Sequence, residues 1–60
     1  MKKFSIHTAV CGERYTSPNH EVFEFRYVSD PCYGIIFVIF DRTGDAYLFE
    51  EDYKDAVLIA

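Results

Sequence analysis

Cys11 and Cys32, with His7 and His20, are the side chains of this 60-residue sequence with the widest chemical reach. Thiolate and imidazole are ligands that zinc takes, four to a structural site. The spacing does not follow through. Neither a C-x-x-C pair nor an H-x-x-x-H pair is present, and the intervals Cys11 to His20 to Cys32 match no common zinc signature. We expect no metal here. A Cys11–Cys32 disulfide would join two loop positions, but a reducing compartment keeps such thiols free. The plainer reading is two small, partly buried thiols. A Cys–His nucleophile needs a base in reach, an orienting group and an oxyanion hole, and the sequence offers none of these. A sheet of this size also has little concavity for a substrate. The three glycines are scattered, so no phosphate-cradling loop exists. We therefore expect no catalytic residue, no cofactor and no enzyme.

Carboxylates are the next resource. Residues 1–28 carry Lys2, Lys3, Arg14 and Arg26 against Glu13, Glu21 and Glu24, a net +1. Residues 29–60 carry Arg42 and Lys54 against Asp30, Asp41, Asp45, Glu50, Glu51, Asp52 and Asp55, a net −5, which makes the total −4. A phosphate backbone demands clustered Lys and Arg, so direct nucleic-acid binding is disfavoured. An acidic stretch is attracted to a basic protein surface instead. Glu50, Glu51, Asp52 and Asp55, extended by Asp41 and Asp45, have the makings of a stripe that imitates DNA phosphates. The plainer alternative is a solvated turn and helix start. The D-x-D-x-D-G spacing of a calcium loop is absent.

Tyrosine joins area to a polar tip, which enriches it at protein interfaces. Tyr15 and Tyr33 fall in expected loops, where a ring has little reason to be buried. We take Tyr15, Tyr33, Glu50, Glu51, Asp52 and Asp55 as the candidate partner-binding set.

These residues need elements to hold them. The run Gly34-Ile35-Ile36-Phe37-Val38-Ile39-Phe40 is apolar throughout and rich in β-branched and aromatic residues, the composition of a strand. Alternation sends Ile35, Phe37 and Ile39 to one face and Ile36, Val38 and Phe40 to the other. Both faces want cover, and a chain this short covers one with ease. The second face calls for a helix, a second copy or a foreign partner, with Val38 taken as pointing outward. Lys3 to Val10 and Glu21 to Val28 alternate as half-buried strands. In the latter, Phe23, Phe25 and Tyr27 lie opposite Val22, Glu24 and Arg26. Ala46 to Glu50 makes a fourth strand, joined to the third by a hairpin through Asp41–Asp45 with Gly44 in the left-handed position. Cys11–Asn19 and Ser29–Gly34 read as loops. After Glu50-Glu51-Asp52, with Asp52 as cap, Tyr53, Ala56, Val57 and Ala60 form the stripe of a short helix, against some strand propensity in Val57-Leu58-Ile59.

We thus expect an α+β, β-rich single domain over residues 1–60: a four-stranded antiparallel meander with a short C-terminal helix. Met1-Lys2-Lys3 is followed by no continuous apolar stretch, so we expect no signal peptide, a complete small product and a cytoplasmic location. No run approaches the roughly 20 apolar residues of a membrane helix, so no membrane partner is expected. The expected function is an acidic protein-binding module that docks on another protein and modulates it, as an inhibitor. Inhibitors encoded by phages or mobile elements are an analogy for such a chain. Homodimerisation is expected alongside. The alternative is a self-assembly module with no foreign target.

Overall fold

Turn-forming residues cut the sequence into extended stretches. The computed structural model, which describes residues 2–19 and 21–59, shows five strands among them. Strand β1 is Arg14–Thr16, β2 Val22–Asp30, β3 Ile35–Phe40, β4 Gly44–Leu48 and β5 Val57–Leu58. A one-turn helix, α1, spans Glu50–Tyr53. The strands form one antiparallel sheet in the order β4-β3-β2-β1-β5. The first four make a meander. The chain then crosses through α1 to the far edge, where β5 pairs with β1.

The expected β-rich antiparallel sheet with one short helix is present, with five strands and not four. Residues 3–10 are not a strand. Lys3 makes an isolated bridge to Val57, and residues 6–8 are a turn. The amides of Thr8 and Ala9 both reach the Ser5 carbonyl, which bends the chain there. The first strand lies instead at Arg14–Thr16, inside the expected loop. The expected helix over 53–60 also gives way. Val57 and Leu58 are extended, because β1 offers an open edge on which backbone pairing satisfies them better than a short helix would. Ala60 lies outside the described residues.

One face of the sheet carries the core: Tyr15, Phe23, Phe25, Ile36, Val38 and Leu48, covered by Phe4, Tyr53 and Ala56. Phe4 is its hub, with ring centroids 4.9 Å from Tyr15, 5.4 Å from Phe25 and 4.8 Å from Tyr53, all edge-on. Edge-to-face pairs of this kind contribute about 0.5–1.5 kcal/mol each beyond area burial. The Phe4 amide bonds the Ala56 carbonyl at 2.8 Å, which pins the N-terminal segment over the sheet beside β5. Val38 is 0 % exposed, so the expectation that it points outward is overturned. The face of β3 turned to solvent is Ile35, Phe37 and Ile39.

Strand β2 departs from simple alternation. Phe25 opposes Val38, but Tyr27 opposes Phe37, so Arg26 is an extra residue in the ladder. A second irregularity follows between Val28 and Asp30. The first bulge moves Tyr27 off the core face and puts Val28 onto it.

Candidate functional site

Helix α1 begins with three acidic residues, Glu50, Glu51 and Asp52, all exposed. Negative charge at a helix start complements the unpaired amides there. Phe49, not Asp52, is the capping residue, and Asp52 stands at the third helical position. Its carboxylate accepts the Phe49 N–H at 2.9 Å, while the Asp52 N–H donates to the Phe49 carbonyl at 2.8 Å. Asp52 is thus committed to its own helix. Glu50 and Glu51 have no ion-pair partner among the described residues. Asp55 is exposed and lies 3.9 Å from the Lys3 ammonium.

Tyr33 is 76 % exposed, in the turn between β2 and β3. The Asp30 carboxylate shapes that turn by accepting the Cys32 N–H at 3.0 Å. The turn is tied to α1, since the Tyr53 hydroxyl donates to the Gly34 carbonyl at 2.5 Å. The bond fixes the Tyr33 turn against the helix that bears Glu50, Glu51 and Asp52.

Tyr15 does not join them. It sits in β1, 0 % exposed, with its ring stacked on Phe23. Its hydroxyl donates to the Glu13 carboxylate at 2.9 Å. Burial first, then this bond, pushes the phenol up to about 12. The loop assignment that made Tyr15 a surface candidate is corrected by the strand, and the residue belongs to the core. Glu13 is held below the usual carboxylate range, first by the Val10 N–H at 2.8 Å and then by the Tyr15 hydroxyl.

A groove of about 410 Å³ opens beside α1. Phe40 and Leu48 line it, Ser17, Pro18 and Asn19 border it, and Glu21, Glu51 and Asp52 supply charge. Bonds from Ser17 hold one wall in place: its buried side chain is bonded to Asn19, and the Ser17 N–H donates to the Glu21 carbonyl at 2.8 Å. Sequence reasoning missed Glu21, since its approach to Glu51 and Asp52 is a product of the tertiary fold.

The outward face of the sheet bears a second feature. Tyr27, Phe37 and Tyr47 stand in a row across β2, β3 and β4, with both centroid separations 5.1 Å. Tyr27 and Tyr47 are 52 % and 56 % exposed. Alternation in Ala46–Phe49 foretells the position of Tyr47, but nothing short of the Arg26 bulge foretells Tyr27.

Cys11 and Cys32 are free and exposed, against the expectation of partly buried thiols, because both sit in turns that cover nothing. No group of three or more potential metal ligands converges among the described residues, and His20 lies outside them. No described helix is long and apolar enough to cross a membrane. No family model matches this chain, and no curated protein or solved structure is significantly similar to it.

Proposed function

We propose that this chain is a small protein-binding module that docks its acidic end on a basic surface of another protein and so modulates that protein. The observation that carries this reading is the grouping of exposed carboxylates at α1. Glu50, Glu51, Asp52 and Asp55 outweigh Lys54 to leave a net −3 within six residues. Glu21 adds to them across a groove that Phe40 and Leu48 also line. Such a surface attracts and orients a cationic partner. Tyr33, exposed in the turn that Tyr53 ties to α1, supplies ring area, as interface tyrosines do. A target that normally grips DNA fits this chemistry, with the carboxylates in the place of phosphates.

The test is capture of target from a host lysate, identification, and titration with purified components. Glu50→Lys together with Glu51→Lys reverses charge while sparing the Asp52 bond that closes the helix. Affinity should fall at least ten-fold and its salt dependence should flatten. Undiminished binding by the double variant would sink the acidic surface. Displacement of the chain by duplex DNA would support the phosphate-mimic form of the reading.

A further inference from the structure

We infer that the outward face of the sheet, built on Tyr27, Phe37 and Tyr47, is the interface between two copies of this chain. The inference is independent of the acidic-end proposal, since it concerns the opposite face of the sheet from the core and none of the same residues.

The row is assembled, not accidental. The extra residue Arg26 lets Tyr27 stand opposite Phe37, stacked at 5.1 Å, in a strand that otherwise sends its rings inward. Ile35 and Ile39 flank Phe37 on β3, half-buried, and Phe49 continues the Tyr47 side of β4 with 54 % of its surface exposed. Tyr27, Tyr47 and Phe49 each keep about half their surface, or ~100 Å² apiece for rings of ~200 Å². With the flanking aliphatic and ring surface, one copy offers roughly 500 Å² and two bury about 1,000 Å², the lower bound of a specific interface. A patch of this size is at the upper end of what a monomer exposes, and such patches are often functional.

Charge selects the occupant. The strand positions of this face hold Arg14 and Arg26 against Glu24, Asp30 and Asp45, a net −1. Arg26 pairs with Glu24 at 2.5 Å, and Arg14 is bonded to Asp41. Most of the net −4 of the molecule lies elsewhere. Two acidic molecules meet more readily through this face than through the acidic end. Nucleic-acid bases also stack on aromatic rows, but such platforms sit in a cationic track, and this face carries more acid than base. One row of the sheet reads Arg14, Glu24, Ile39, Asp45 from β1 to β4. A two-fold axis along the strands, between β2 and β3, sets Arg14 across from Asp45 of the second copy. The same axis lays Tyr27 over Phe37 of that copy.

Sedimentation velocity over about three decades of concentration around the micromolar range tests this, since interfaces at the small end of the range are weak and reversible. A reversible monomer–dimer equilibrium is expected. Tyr27→Ser with Tyr47→Ser should raise the dimer Kd at least about thirty-fold, with the far-UV dichroism unchanged because both rings are half exposed. Arg14→Asp and Asp45→Arg should each weaken the dimer, and the two together should recover it. A monomer at every concentration overturns the inference and leaves the face to a foreign partner. A dimer indifferent to the ring substitutions, or a charge swap without recovery, overturns it as well.

Discussion

Glu13 and Tyr15 share a hydrogen bond that adds to two opposite pH limits, set first by the Val10 N–H for Glu13 and by burial for Tyr15. Tyr15 is neutral in the core and its pKa is pushed up to about 12, above the ordinary 10, by burial and by its bond to Glu13. A raised pKa gives stability that is complete below the unfolded value and lost as pH climbs through the folded one. The fold should therefore weaken between pH 10 and about 12, and Tyr15→Phe should flatten that loss in a pH series of chemical melts. Glu13 is shifted the other way, so its contribution is present above the ordinary 4.5 and lost as acid protonates it. Its larger cause is the Val10 N–H, which Tyr15→Phe leaves in place. The acid limb should thus survive in Tyr15→Phe and shrink in Glu13→Gln. Gly34 is a different kind of constraint. Its φ is +68°, and a Cβ there would lie 2.9 Å from the Tyr53 hydroxyl. Gly34→Ala should cost about 1–3 kcal/mol through strain and the displaced bond. Tyr53→Phe, which loses only the bond, should cost about 0.5–1.5 kcal/mol. Equal losses in a denaturant titration would show that the backbone is not strained.

At the scale of elements, the β2 bulge and the α1 start carry the argument. Arg26 is surplus to the ladder, since Phe25 opposes Val38 and Tyr27 opposes the next residue, Phe37. Deleting Arg26 should leave those two pairings intact, fold, and shift Tm by no more than about 4–8 °C, the equivalent of ~1 kcal/mol. Deleting Glu24 forces Phe23 or Phe25 out of the core, because a strand reverses its faces at each step, and should abolish the thermal transition. If both deletions behave alike, β2 does not hold the register described. For α1, Asp52→Ala removes the acceptor of the Phe49 N–H and should cost ~1 kcal/mol. Alternation made most of this sheet readable. Phe23 and Phe25, Ile36 and Val38, and the hairpin through Gly44 all follow from period two and turn chemistry. The bulge was not readable, since no proline or glycine marks it, and it took Tyr27 to the wrong face in the sequence reading.

For the whole molecule, small size is the governing fact. A single core in a chain of this length rarely supplies more than about 3–5 kcal/mol. Ile36→Ala, at a fully buried site, should cost about 2–5 kcal/mol and leave a largely unfolded chain, whereas Ile36→Val should cost about 0.5–1.5. Val38→Lys places a charge where no partner exists and should unfold the chain outright, as far-UV dichroism will read. A folded Val38→Lys variant would refute the burial of that face. The apolar excess that the core cannot use gathers as the Tyr27–Phe37–Tyr47 row, and the charge gathers at α1. The two surfaces adjoin at Phe49, which caps α1 and borders the aromatic row, and share no other residue.

The sequence alone determined the elements that local chemistry dictates. Period-two alternation made the sheet, glycine's tolerance of positive φ made the hairpin, and the acidic run made the charged helix start with Glu50, Glu51 and Asp52 exposed. Tertiary structure decided what depends on distant partners. Tyr15 became core because β2 and β5 pair on either side of it, and Val57-Leu58 became a strand because β1 had a free edge. Glu21 met Glu51 and Asp52 only through the path of the sheet. Which face of β3 is buried was settled by where Phe4 and Tyr53 dock. Those choices turn on contacts between residues far apart in the chain, and local propensity carries no record of them.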